Sequence, residues 1–250
     1  MRLLRRSRGQ SGGHDGVSRP GPAERASGAC VVCGSVKQPI AAPVLWPGLV
    51  AEWELTESEA ASVDRREGQQ CPDCRTGLRS AALATAILRH VGWPGTFDAW
   101  TSSEASLSIL EINRAGQLTP WLERLGQHRL VEYPEVDMHS LDCPEGSWDL
   151  VVHSDTIEHL EDPLRALAEC RRVLAPGGAL CFTIPIIPAR MTRRRDGMPP
   201  SYHGTEADPS YLVVTEYGAD FWTQAFDSGF TALSISALQW PDAVALTATA

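Results

Sequence analysis

The sequence contains no run of about 18 uncharged apolar residues, which excludes a transmembrane helix. It also lacks the apolar stretch of about 7–15 residues that a secretory leader needs, because only Leu3 and Leu4 separate the first arginines. Basic residues are scarce: 22 Lys and Arg face 31 Asp and Glu, for a net charge of -9. Six arginines against Asp15 and Glu24 make residues 1–29 basic, so the body of the chain is more acidic than the total suggests. Such a body argues against a general binder of phosphate backbones. No internal repeat is present. A length of 250 residues suffices for one ordinary domain with a small appendage.

Three zones follow from composition. Residues 1–28 read as a disordered basic tail, rich in Gly, Ser and Pro. Residues 29–95 hold four of the seven cysteines and a helical stretch, and residues 96–250 alternate strand-like and helix-like patterns. Without a leader or a span the expected location is cytoplasmic, where paired cysteines read as metal ligands before disulfides. Cys30-Val-Val-Cys33 and Cys71-Pro-Asp-Cys74 are two C-x-x-C pairs, which predict one tetrahedral zinc site. Four thiolates leave no open position, so this zinc is expected to be structural. Val44, Leu45, Trp46, Leu49, Trp53 and Leu55 are expected to form a small core beside the metal. Cys143, Cys170 and Cys181 read as small buried hydrophobes.

In the last zone, residues 106–113, 128–133, 148–155 and 179–186 read as strands. Residues 231–240 and 242–250 supply two more. A short helix is expected between Gln117 and Leu125, with Pro120 in its first turn. Asp162 and Pro163 predict a capped helix with Leu164, Leu167, Val173 and Leu174 on its apolar face, stopped by Pro176-Gly177-Gly178. Residues 216–230 predict another helix, closed by Gly229. The pattern is that of a doubly wound, mostly parallel α/β sheet.

The segments ILEINRAG (109–116), SWDLVVHSDTIEHLEDP (147–163) and RRVLAPGGALCFTIP (171–185) resemble the class I S-adenosylmethionine-dependent methyltransferases that carry EH and PGG motifs. The resemblance implies a Rossmann-like fold, S-adenosylmethionine as cofactor and methyl transfer as the activity. It puts Glu111 at the acidic position after the first strand and Gly116 in the following loop. The family's glycine-rich loop is here Asn113-Arg114-Ala115-Gly116, and Asn113 suits the change because Asn tolerates positive φ. Glu132 is the candidate for the ribose, and Asp137 with Met138 for the adenine. His153, Ser154 and Asp155 would face cofactor and substrate, and Glu158 and His159 form the EH motif.

Between Ile187 and Ser210, an arginine-, proline- and glycine-rich stretch would overhang the site as an acceptor lid. Its Arg190 and Arg193–Arg195 read either as an anion-attracting group or as a solvated charge run. His203 is the first choice for a catalytic base, with His153 second. The expected acceptor is a small molecule or glycan, methylated at O, N or C. A non-catalytic zinc-containing interaction module, an RNA methyltransferase and a zinc-dependent nucleic-acid binder are the alternatives. Acceptor identity and oligomeric state stay open.

Overall fold

The structure, a computed structural model, describes residues 28–203 and 209–250. The basic tail expected at 1–28 therefore lies outside the described residues except for Gly28. None of the described helices is long and apolar enough to cross a membrane.

The two cysteine pairs form matching turns. In each, the first cysteine's carbonyl accepts from the N–H four residues on, Gly34 at 2.8 Å and Arg75 at 2.9 Å. Its own N–H donates to the carbonyl five residues on, Ser35 or Thr76. The residue after each pair is left-handed: Gly34 at φ 80° and Arg75 at φ 63°. Glycine meets that demand freely, whereas arginine is strained there. Between the turns lie β1 (Ile40–Ala41), α1 (Pro47–Glu52), α2 (Glu57–Gly68) and β2 (Gln69–Gln70). β1 and β2 pair antiparallel. A reciprocal box between Thr56 and Glu59 caps α2.

α3 (Leu78–His90) and α4 (Phe97–Thr101) lead into the sheet, built from β3 (Ile109–Ile112), β4 (His128–Val131), β5 (Trp148–Ser154) and β6 (Leu174–Thr183). A short α5 (Thr119–Leu122) has Pro120 in its first turn as expected, and α6 (Pro163–Val173) connects β5 to β6. β7 (Arg193–Arg194) and β8 (Thr215–Glu216) form a two-stranded clip outside the sheet. α7 (Thr223–Asp227), β9 (Ala232–Leu238) and β10 (Ala243–Thr249) complete the chain. Strand order is β4-β3-β5-β6-β10-β9, with β3 to β6 mutually parallel and β10 antiparallel to both neighbours. This is the expected Rossmann-like α/β fold.

Side chains alternate across the strands into two cores. Leu110, Ile112, Val151, Leu180 and Phe182 face α6 and α7. Ile109, Leu150, Val152, Ala179 and Cys181 face α3 to α5, and Val31 and Val32 of the first cysteine turn join that core. Helix α3 thus packs on the central sheet as well as following the cysteines. Cys143, Cys170 and Cys181 are buried thiols, as expected.

Several local expectations change. Leu164 is exposed, and the buried face of α6 is Pro163, Ala166, Leu167, Cys170 and Val173. The helix ends at Val173, before the glycines. Trp148 pairs with Leu174 and Leu150 with Ala179, so Pro176-Gly177-Gly178 loops out between two paired segments of β6. Residues 216–230 give only the short α7, because Thr215 and Glu216 pair with the lid and tertiary pairing overrides helix propensity. From β3 the chain passes to β4 on one side and then to β5 on the other, and such a switch point opens a crevice at the carboxyl ends of these strands.

Candidate active site

Glu111, at the end of β3, is fully buried. Its carboxylate accepts from Ala115 N at 2.6 Å and Thr119 Oγ1 at 2.5 Å, and lies 2.7 Å from His128 Nε2. It therefore shapes the loop from within and does not present itself to a ligand. Asn113 adopts φ 45°, the conformation anticipated for it, and its Oδ1 accepts from Tyr133 N at 2.9 Å. Gly116 is at φ 57°, and a Cβ there would lie 2.5 Å from Ser80 Oγ and 4.0 Å from Ser154 Oγ. Glycine suits this left-handed position between the start of α3 and the end of β5, where the loop packs closely on Ser80.

Glu132 follows β4 and is half-exposed, paired with Arg114 at 3.2 Å. Asp137 is exposed, and its carboxylate accepts from His139 N at 2.8 Å and meets the His139 ring at 2.7 Å. The His139 N–H holds Asp137 below the ordinary carboxylate value. Met138 is buried in the core under α6, so it packs the fold and offers no surface for adenine.

At the end of β5, His153 is completely buried against Phe182, ring centroids 4.9 Å apart. Desolvation pulls its pKa down to about 3, so the imidazole is neutral and cannot reach an acceptor. As a catalytic candidate it gives way to His203. Asp155 is left-handed at φ 46°, accepts from Thr183 Oγ1 at 2.8 Å and pairs with Arg79. Arg79 also reaches Glu67 at 3.1 Å, bridging α2 to the end of β5. No motif in the sequence marked Arg79 or Ser80.

Ser154 and Asp155 form the floor of a cavity of about 460 Å³. Glu158, His159, Arg195, His203 and Tyr217 line its sides. Its roof is the segment between the two cysteine pairs, including Val44, Leu45, Trp46, Leu49 and Trp53. These residues were expected to pack beside the metal; instead Trp46 is exposed and most of the group walls the cavity. Trp53 donates its indole N–H to Ser201 Oγ at 2.8 Å and stands edge-on to His203 at 5.5 Å.

The lid arginines are neither a solvated run nor a free anion site. Arg190 pairs with Glu59 at 2.9 Å and donates to the carbonyls of Trp53 and Glu54. Arg193 and Arg195 pair with Glu216, and Arg194 with Glu161 and Asp196. They stitch the lid to the roof and to the clip.

The four cysteines converge as their spacing anticipated. Cys30 Sγ lies 3.8 Å from Cys74 Sγ and Cys33 Sγ 3.7 Å from Cys71 Sγ, with all four within 4.8 Å of one another. For bonds of about 2.3 Å to a tetrahedral ion, sulfur–sulfur separations of ~3.8 Å are required. Disulfide contact at about 2.05 Å is far shorter. The donor set fits zinc. Burial pushes the Cys30 thiol up, whereas at Cys71 the N–H groups of Cys74 and Asp73 outweigh burial and bring it to about 7.

Comparison with known proteins finds similarity over part of this architecture. Residues 94–182 match the family described as "Methyltransferase domain". A stretch of 63 residues is 40% identical to a Mycolicibacterium smegmatis protein named a probable S-adenosylmethionine-dependent methyltransferase, covering 23% of this chain and 24% of that one. An uncharacterized 37.1 kDa protein in a transposon of Streptomyces fradiae is 44% identical over 127 residues, 50% of this chain and 32% of its own. The chain thus spans a third or less of the curated relatives it matches. A solved S-adenosylmethionine-dependent methyltransferase of Thermotoga maritima aligns with TM-score 0.42 and 14% identity, over 69% of this chain and 89% of that one. The stretch matched to the methyltransferase domain runs from just before α4 to the end of β6, the part of the chain that carries β3 and β5.

Proposed function

We propose that the protein transfers the methyl group of S-adenosylmethionine to an O, N or C centre of a small-molecule or glycan-type acceptor bound in the roofed cavity. The observation that carries this reading is adjacency: Ser154 Oγ would lie 4.0 Å from a Cβ on Gly116, and the same serine lines the cavity. A cofactor held by the loop from Asn113 to Gly116 would meet an acceptor held under Trp46 and Trp53. The residues proposed to hold the cofactor are Asn113, Gly116, Glu132 and Asp137, with Glu111 and Asp155 shaping the site around it.

A sulfonium is already activated. The chain's task is to align the acceptor and exclude water, which the roof and lid do. The acceptor's lone pair forms the new bond to the methyl carbon as the carbon–sulfur bond breaks, its electron pair passing to sulfur. For a hydroxyl acceptor the proton leaves toward the cluster of His203, His159 and Glu158 on the cavity wall. A volume of about 460 Å³ suits a sugar-sized or drug-sized acceptor. Because every lid arginine is paired with a carboxylate, the cavity favours an uncharged acceptor over a phosphate-bearing one or RNA. The four-thiolate cluster is proposed to hold a structural zinc that fixes both ends of the roof.

Calorimetric titration with S-adenosylmethionine and S-adenosylhomocysteine tests the reading. Micromolar binding is expected, weakened about tenfold in Glu132→Ala, whose exposed side chain leaves the fold intact. Absence of binding by folded, zinc-replete protein would overturn it in favour of an interaction module.

A further inference from the structure

Glu158 is completely buried, yet neither carboxylate oxygen has a hydrogen-bond partner among the described residues. Leaving a buried carboxylate without donors costs several kcal/mol. Two imidazole nitrogens face Oε1, His159 Nε2 at 3.4 Å and His203 Nδ1 at 3.6 Å, and the Arg79 guanidinium acts on the carboxylate from farther off. Both are long for a charge-assisted hydrogen bond, which would close to about 2.7–2.9 Å. They match instead the edges of a coordination shell, since metal–ligand bonds of about 2.0–2.1 Å at tetrahedral angles place donors ~3.3–3.4 Å apart. One donor atom from each of the three residues lies within 4.8 Å of the other two.

The surrounding backbone prepares these donors. His159 Nδ1 is 2.8 Å from the Leu212 carbonyl, which can only accept. The ring therefore carries its proton on Nδ1 and offers Nε2 as a lone pair, the tautomer a carbonyl partner imposes on metal-bound histidines. Glu158 and His159 sit on one 3₁₀ turn, Ile157–His159, which the Val214 N–H pins by donating to the Glu158 carbonyl at 2.8 Å. His203 is fixed from the lid by its N–H to the Tyr211 carbonyl at 3.0 Å.

We propose that Glu158, His159 and His203 bind a divalent transition-metal ion, with zinc favoured by the two-imidazole, one-carboxylate donor set. Three protein ligands leave a coordination position open toward the cavity, in contrast to the closed four-cysteine site. The ligand for that position is an acceptor hydroxyl, whose O–H the ion would acidify so that its proton passes to bulk water as the methyl group is transferred. Only this last step rests on the methyl-transfer reading. With the ion bound, His203 is a ligand, and it acts as a base only in the ion's absence.

Counting metal tests the proposal without turnover. Wild-type protein equilibrated with micromolar free zinc should retain two equivalents by plasma mass spectrometry. Glu158→Gln and His203→Ala should each retain one. Cobalt loading separates the sites: thiolates give sulfur-to-metal charge transfer in the near ultraviolet, and the second site adds only visible d–d absorption. Both variants should lose the visible increment and keep the charge-transfer band, which also shows that they are folded. One equivalent in the wild type, or two retained by both variants, overturns the proposal. Either result leaves the cofactor titration to stand or fall separately.

Discussion

Glu111 and Glu158 lie at the carboxyl edge of the same sheet, both fully buried, and their surroundings are opposite. Glu111 is met by Ala115, Thr119 and His128, so its desolvation is offset by hydrogen bonds. Glu158 has none, and two imidazoles face it at a distance. A fold that satisfies one carboxylate and leaves its neighbour unsatisfied reserves the second for a partner outside the chain. The difference distinguishes a residue that builds the site from one that works in it.

Substitution at the two positions should separate stability from activity. The largest effect is expected for Glu111→Ala, which strands three donors; denaturant unfolding should show a loss of about 3–5 kcal/mol. In metal-free protein, Glu158→Gln removes a buried carboxylate that has no hydrogen-bond partner among the described residues. Its unfolding midpoint should hold or rise, while methyl transfer falls at least ~10²-fold. Equal destabilisation by both changes would break the contrast. His153 sharpens it as a third buried ionisable group on the same edge. Its folded pKa is about 3 against about 6.5 unfolded, so between those values the unfolded chain binds the extra proton. Stability should therefore fall as pH drops from 6.5 toward 3, by about 1.4 kcal/mol per unit from this group, and His153→Leu should remove that slope. The smallest effect concerns the roof. Arg190 holds Glu59 at about 2, so this pair stabilises fully above the unfolded carboxylate range and is lost as pH falls through about 2. Glu59→Gln should cost about 1 kcal/mol at neutral pH, read from the fluorescence of Trp46 and Trp53.

Much of this molecule is written locally. Strands β3, β5 and β6 are apolar runs bounded by turn residues, α6 announces itself through Asp162 and Pro163, and C-x-x-C spacing brings four thiols together. The positive φ of Asn113 followed from its side-chain chemistry. What escaped was made by contacts between distant segments. Arg190 meets Glu59 across 131 positions, and nothing near either residue signals a pair. The tryptophans of the roof look like core residues until the lid closes beneath them. His153 and Glu158 lie five positions apart, and only the structure shows which one reaches the cavity.

The roof leaves the chain at Cys33 and returns at Cys71, so both its ends emerge from one knot on the side of the sheet domain. It is a visor riveted at that knot and latched to the body by Glu59 on Arg190, Glu67 on Arg79 and Ser62 on Asp242. Within it, the stretch from Val44 to Trp53 that walls the cavity lies outside the sheet, so its composition can change while the latches keep the strand registers and the loop at Gly116 in place. Such a visor makes acceptor choice an exchangeable part: a different segment between the same two cysteine pairs would give the same methyl-donor chemistry a different clientele.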